Sequence, residues 1–173
     1  MISSARRLFV MFCVVLMLVV GCSKGAGDST EHSFAIYLVK GLTTTEAMDK
    51  VLAELPLEDA PLLTDKDIRT YNWRKHSFSL KDGFSLEEKL EGRVPMSGKP
   101  FVVVVDGERA YMGSFWTLVS SLYIPEIPTI NSIWFKDSEN DTYTIRYGMD
   151  HQDPRENTKV YEVLKSLGKI EKE

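Results

Sequence analysis

One segment of the chain has the residue types of a small-ligand site. The run Trp116-Thr117-Leu118-Val119-Ser120-Ser121 sets a large aromatic beside several hydroxyl groups, between a predicted hairpin and a proline-containing loop. Loops held by a rigid scaffold often carry binding sites, and aromatic walls with a few polar groups are common in them. A tryptophan that closes a sheet edge, with serines bonded to the loop backbone, would leave the same pattern. We predict that a ligand contacts Trp116, Thr117, Ser120 and Ser121.

A second segment, residues 69–76, interleaves cations with aromatic side chains. Stacking and ion pairs from such a surface suit an anionic or sugar-bearing polymer of the cell envelope. A strand with a solvated basic edge, which discourages edge-to-edge pairing, explains the pattern as well, and His76 then has a structural role. The candidate ligand contacts here are Tyr71, Trp73 and His76.

Sequence motifs give no support to a catalytic activity. The chain contains no phosphate-binding P-loop, dinucleotide fingerprint, H-E-x-x-H, C-x-x-C or G-x-S-x-G motif. We therefore predict no cofactor. A hydrolase whose His76, Ser120 or Ser121 and an acid converge only in three dimensions remains an alternative, because catalytic triads are spatial constellations.

One short segment near the C-terminus has the residue types of a metal site. Asp150-His151-Gln152-Asp153 has the ligand types for a metal ion. Asp153 is, however, followed by Pro154 and Glu156, the pattern of a helix N-terminus, and we predict that it caps a helix. No metal site is predicted.

The helices that would support these sites follow from caps and apolar spacing. Thr43 and Glu46 fit a capping box, and Met48, Val51, Leu52 and Leu55 then predict one apolar helical stripe that ends at Pro56. A short helix is predicted over 85–91 with Ser85 as its cap. The last helix, with Asp153 as N-cap, has its apolar stripe at Val160, Val163, Leu164 and Leu167.

The strands follow from apolar runs and turn residues. The run 34–39 is apolar on both faces, as in a central strand. Asp106-Gly107 predicts a type I′ hairpin that pairs Val103 with Ala110. Residues 71–81 are predicted as one strand with a bulge near 74–75, and 133–136 with 142–147 as a second hairpin. These elements predict a single α+β domain over 33–173, with a mixed or antiparallel sheet of about five or six strands, two main helices and one short helix.

The N-terminus has the features of an export signal. Arg6 and Arg7 precede an apolar run from Leu8 to Val20, which would span roughly 20 Å as a helix against a hydrocarbon core of about 30 Å. A basic start, a short apolar run and a small residue at its end are typical of a secretory signal peptide. The formal net charge of −4 for 173 residues argues against nucleic-acid binding.

The end of this run resembles the lipobox of bacterial lipoproteins. Val19-Val20-Gly21-Cys22 places an apolar residue, a small residue and a cysteine after the apolar run. The resemblance implies cleavage after Gly21 and acylation of Cys22 with fatty acids such as palmitate, so that 1–21 is a signal peptide and 22–32 a flexible tether. Two acyl chains give stable membrane attachment. The alternative is an ordinary cleaved signal with a second site near residues 25–27, which would release a soluble protein.

Residues 61–68 and 98–116 also resemble an uncharacterised domain of exported bacterial proteins, and this resemblance implies no activity. The sequence thus predicts a membrane-anchored extracytoplasmic lipoprotein, attached to the lipid bilayer through Cys22. Its domain is expected to be a non-catalytic module that binds an envelope protein, a glycan or a small ligand. An envelope hydrolase and a structural accessory subunit are the alternatives.

Overall fold

The computed structural model describes residues 31–117, 119–122, 125–131, 136–137 and 142–172. Residues Glu31–Glu173 form one compact unit. The predicted signal peptide, Cys22 and most of the predicted tether lie outside the described residues, as does Leu118. The described core contains no residue before Phe34.

Within the described residues the chain forms nine strands and three α-helices. The strands are β1 (Phe34–Leu38), β2 (Leu63–Thr64), β3 (Ile68–Asn72), β4 (Ser77–Leu80), β5 (Lys99–Val105), β6 (Glu108–Trp116), β7 (Thr129–Asn131), β8 (Lys136–Asp137) and β9 (Thr142–Thr144). The helices are α1 (Thr44–Met48), α2 (Leu86–Lys89) and α3 (Thr158–Ser166), and a 3₁₀ turn covers Leu52–Glu54.

The strands form two sheets around a shared core. The first sheet has the order β2-β1-β5-β6-β7, antiparallel except for the parallel pair β6–β7, and the second has the order β3-β4-β9-β8. Phe101 of the first sheet, Phe78 of the second and Leu164 of α3 belong to one apolar cluster. The predicted α+β class is confirmed, whereas the single predicted sheet is two sheets.

The Asp106-Gly107 hairpin forms with one change of register. Asp106 has φ +49° and Gly107 φ +78°, as a type I′ turn requires, and Val105 pairs with Glu108. Val103 pairs with Tyr111 instead of the predicted Ala110, because a bulge adds one residue to β6. Side chains on the same face of β6 therefore have even numbers on one side of the bulge and odd numbers on the other.

The predicted single strand over 71–81 is a hairpin. β3 and β4 are antiparallel neighbours in which Tyr71 pairs with Phe78, so an odd and an even position point to the same side. His76, at the end of the connection, has φ +46°. The apolar residues change from odd to even numbers here because the chain reverses direction in a hairpin. A bulge within one strand is therefore not the cause.

The helices are shorter than predicted. The Thr43–Glu46 capping box forms, but α1 ends at Met48 because Asp49 is its C-cap. Met48 and Val51, predicted on the buried stripe, are 38% and 64% exposed. Ser85 caps α2 as predicted, by accepting a hydrogen bond from the Glu88 amide.

The last helix begins four residues later than predicted. Asn157, not Asp153, is the N-cap of α3, and its side chain accepts hydrogen bonds from the amides of Lys159 and Val160. Val160, Val163 and Leu164 are buried, as the apolar stripe predicted. The carboxylate of Asp153 instead accepts hydrogen bonds from Arg155.

The second predicted hairpin is present in part. β8 and β9 are antiparallel, with Lys136 opposite Tyr143. Tyr143 and Ile145 are buried, Tyr147 is half-buried and Arg146 is exposed. Residues 133–135 and 138–141 of this prediction lie outside the described residues.

Candidate functional site

The segment that follows β9 meets the edge of the first sheet and encloses a cavity there. The Arg146 amide donates to the Thr129 carbonyl at 2.7 Å, and the Thr129 amide donates to the Arg146 carbonyl at 2.8 Å. β7 in turn lies beside the end of β6, with Phe115 opposite Ile130. The cavity has a volume of about 270 Å³ and is lined by Trp116, Pro125, Ile127, Thr129, Asn131, Arg146, Tyr147, Gly148 and Met149. We call it the Trp116 cavity.

The walls of the Trp116 cavity are mainly apolar. Trp116, Pro125, Ile127 and Met149 supply apolar surface, and Arg146 is the sole charged residue among the described lining residues. At roughly 30 Å³ for each water molecule, the volume corresponds to about nine waters. A concave, largely apolar space with a few polar groups is the usual form of a small-molecule site.

Trp116 is held in this wall by close packing. Its side chain is 4% exposed and lies at the end of β6. A Cβ atom placed on Gly98, which has φ +76°, would lie 2.6 Å from Cε3 of Trp116 and would also contact Oγ1 of Thr44. The indole therefore occupies space that any residue larger than glycine at position 98 would take.

The hydroxyl residues that follow Trp116 hold their own loop. Oγ1 of the buried Thr117 accepts a hydrogen bond from the Val119 amide, and the Ser120 hydroxyl donates to the Met96 carbonyl at 2.9 Å. Ser121 is exposed. Of the four residues predicted in this segment, the structure thus brings Trp116 to the cavity, while Thr117, Ser120 and Ser121 are not among its lining residues.

The structure brings Tyr71, Trp73 and His76 together in a separate group that packs on α3. The Trp73 ring lies 5.9 Å from the ring of Tyr71, 5.4 Å from that of His76 and 5.1 Å from that of Tyr161 in α3, measured between centroids. Tyr71 is 2% exposed, and its burial raises its pKa well above the ordinary value. Much of this predicted binding surface is therefore used for internal packing.

His76 is a buried imidazole with a partner on each nitrogen. Nδ1 lies 3.4 Å from the Tyr71 hydroxyl, and Nε2 lies 3.2 Å from Oε1 of Glu156. Burial lowers the pKa of His76, the Arg155 charge lowers it further, and the carboxylates of Glu156 and Asp153 act in the opposite direction. The fold therefore favours the neutral imidazole more strongly than the unfolded chain does.

The ligand types of a metal site meet at the same place. The imidazole of His76 and the carboxylates of Asp153 and Glu156 each offer an atom within 4.8 Å of the others. Arg155 nevertheless donates to both oxygens of Asp153, at 2.9 Å from Nε to Oδ1 and 2.6 Å from Nη2 to Oδ2. Although burial alone would raise it, these bonds hold the pKa of Asp153 below its usual value. An internal ion-pair network accounts for the arrangement without a cation.

The sequence-based triad finds no assembled counterpart in the described residues. His76 is bonded to Tyr71 and Glu156, whereas the Ser120 hydroxyl is bonded to the Met96 carbonyl. General base catalysis needs the imidazole within hydrogen-bond reach of the nucleophile. The contacts of these residues give the hydrolase alternative no support.

Sequence reasoning missed most of the residues that line the Trp116 cavity. They come from the 125–131 segment and from 146–149, which are adjacent through the backbone pair of Thr129 and Arg146. No pattern within either short segment indicates that the two segments meet. His76 and Glu156 are 80 positions apart, and no local pattern connects them.

Comparison with known proteins supplies no relative for this chain. No protein-family model matches it, and no curated protein or solved structure is significantly similar to it. The lipobox and domain resemblances therefore remain predictions. Among the described residues, no helix combines the length and apolar character that crossing a bilayer requires.

Proposed function

We propose that this chain is a membrane-anchored extracytoplasmic lipoprotein whose α+β domain binds a small ligand in the Trp116 cavity. The observation that carries the binding proposal is the cavity itself, a space of about 270 Å³ with mainly apolar walls. Its walls belong to elements fixed by backbone hydrogen bonds, notably the pair between Thr129 and Arg146. A site built on such elements is formed before the ligand arrives, which reduces the entropic cost of binding.

The composition of the walls favours binding over catalysis. Among the described lining residues there is no Asp, Glu, His, Cys or Lys. These are the side chains that most often act as nucleophiles or as general acids and bases. The described part of the cavity can therefore hold and orient a molecule, and its chemistry suits recognition.

Ligand binding in the Trp116 cavity can be tested by a substitution that fills the cavity with a larger side chain. Gly148 lines the cavity, and a Cβ atom at this position meets no atom within 4 Å. Gly148→Phe should therefore fill ligand space without a clash of its own Cβ. We expect octan-1-ol, a compact neutral probe, to shift the indole N–H resonance of Trp116 in wild-type protein and to shift it far less in the variant. An unchanged Trp116 resonance in the wild type, both with this probe and with charged probes of the same chain length, would overturn the binding proposal.

The anchor rests on the lipobox resemblance and is tested at Cys22. Cys22→Ser should prevent acylation, and the processed protein should then be found in the soluble fraction and incorporate no labelled palmitate. Cys13→Ser is the matched control, because Cys13 lies inside the segment that the resemblance removes. Membrane attachment of the processed Cys22→Ser protein would contradict the anchor.

A further inference from the structure

We propose that the Trp116 cavity selects a compact amphipathic carboxylate, with an acyl or aryl body against the apolar walls and the carboxylate at Arg146. This inference rests on the proposed function, since it names the ligand class of the same site. It is carried by the position of Arg146, which has no carboxylate partner among the described residues, beside an apolar space.

Among the described residues Arg146 has no acidic partner, in contrast to three other arginines of the domain. Arg69, Arg93 and Arg155 each lie within 2.6 Å of a carboxylate oxygen, on Asp82, Glu58 and Asp153 respectively. No carboxylate of the described residues lies within ion-pair distance of Arg146.

The position of Arg146 places its charge at the open side of the cavity. Ile145 is buried in the core, whereas the next residue, Arg146, is exposed. Arg146 is exposed and is also one of the residues that line the cavity, and a residue with both properties stands at the boundary between the cavity and water. Trp116 is buried at 4% exposure and supplies apolar wall. A ligand that satisfies both ends has an apolar body and a charged head.

The charged group of a ligand that fits best beside Arg146 is a carboxylate. A guanidinium presents parallel N–H groups that match the two oxygens of a carboxylate, and such charge-assisted bonds are stronger than neutral ones. A cationic head would instead be repelled by Arg146. A neutral alcohol would bind through its apolar body and gain only a weaker hydrogen bond.

The volume of the cavity limits the size of the apolar part of the ligand. A volume of about 270 Å³ matches a molecule of roughly ten non-hydrogen atoms, on the basis of about 30 Å³ for a water molecule. Octanoate and 3-phenylpropionate are of this size. Long-chain fatty acids and whole phospholipids exceed it.

The test compares three probes of one chain length and different charge: octanoate, octan-1-ol and octylammonium. The protein is the chain from residue 22 onward with Cys22→Ser, in which the compact unit beginning at Glu31 is intact. Detergent is left out because it is itself an amphiphile. Dissociation constants come from the shift of the Trp116 indole N–H resonance. We expect octanoate to bind about tenfold more tightly than octan-1-ol, and octylammonium to bind more weakly than both.

Variants then assign the preference to Arg146. Arg146→Gln should bind octanoate and octan-1-ol about equally, and Arg146→Lys should restore part of the preference. Arg93→Gln removes a surface arginine that pairs with Glu58 and should leave all three affinities unchanged. The preference of the wild type for octanoate should also weaken as salt screens the charge.

The outcomes separate this inference from the proposed function. Equal binding of octanoate and octan-1-ol to the wild type, or an unchanged octanoate affinity in Arg146→Gln, would overturn the inference and leave a cavity that binds neutral ligands. Failure of all three probes to shift the Trp116 resonance would overturn the proposed function as well. The comparison of probes on the wild type needs no variant. It therefore tests the inference even if Arg146→Gln fails to fold.

Discussion

The guanidinium of Arg155 lies over the ring of Tyr147, with its Cζ atom 5.7 Å from the ring centroid. Tyr147 lines the Trp116 cavity, while Arg155 is also bonded to Asp153 and donates to the Ile145 carbonyl at 2.6 Å. One side chain thus connects the wall of the cavity with the network around His76. The turn before α3 therefore supports the segment that closes the cavity.

Replacement of Arg155 should weaken both stability and binding. Arg155→Lys retains the charge but loses the paired bonds to Asp153, and the Arg155–Asp153 pair is largely buried. We expect the free energy of unfolding, measured by urea denaturation, to fall by about 2 kcal/mol. Octanoate affinity should fall as well, because the packing of Tyr147 changes.

The matched control is Arg69→Lys, which alters an exposed ion pair with Asp82. Exposed pairs contribute about 0–1 kcal/mol, so little change in stability is expected. Equal losses of stability in the two variants would show that the Arg155 network has no special structural role.

A methyl group at position 98 should disturb Trp116. Gly98→Ala forces a Cβ atom against the indole and against Thr44 at a positive φ, so we expect a loss of about 2–3 kcal/mol in the free energy of unfolding. The Trp116 indole N–H resonance should shift. Gly83→Ala is the control, since Gly83 has φ +81° but open space around its Cβ position. It should lose only the conformational cost of about 1 kcal/mol, and a loss as large as that of Gly98→Ala would contradict the packing account.

Stability should fall as the pH drops below about 6.5, the ordinary pKa of histidine. Burial lowers the pKa of folded His76, so the unfolded chain takes up its proton first as the pH falls. The neutral imidazole therefore contributes its full stability above that pH, and the contribution is lost as the pH falls towards the lowered pKa of the folded state. Asp153, whose folded pKa is also lowered, acts in a more acidic range.

His76→Asn isolates this effect, because asparagine tolerates the left-handed backbone that His76 adopts. Between pH 7 and 5, the free energy of unfolding of the variant should depend less on pH than that of the wild type. Replacement of the exposed His151 by asparagine leaves His76 intact and should keep the steeper dependence. Parallel curves for wild type and His76→Asn would contradict the assignment.

Local patterns predicted the parts of the fold that depend on neighbouring residues. The Thr43 capping box, the Asp106-Gly107 turn and the buried face of α3 each follow from a few adjacent side chains. The extent of α1 did not follow, because apolar spacing up to Leu55 was taken for a helix that in fact ends at Met48.

The site was predictable only at Trp116. Its other walls depend on the pairing of Thr129 with Arg146, and the Arg155–Tyr147 contact depends on the late start of α3 at Asn157. Such contacts are set by how two sheets and a helix pack, which no short segment encodes. Patterns near Ser120 and Ser121 indicated hydroxyl chemistry, but the Ser120 hydroxyl bonds the backbone of Met96.

The most direct test of the account is the location of bound octanoate by intermolecular nuclear Overhauser effects. We expect contacts from the methyl end of the probe to Trp116, Ile127 and Met149, and from the carbon next to the carboxylate to Arg146. The exposed apolar side chains of Met96, Val119 and Leu122 offer a rival surface. Contacts confined to those three residues would contradict the central claim that this domain binds its ligand in the Trp116 cavity.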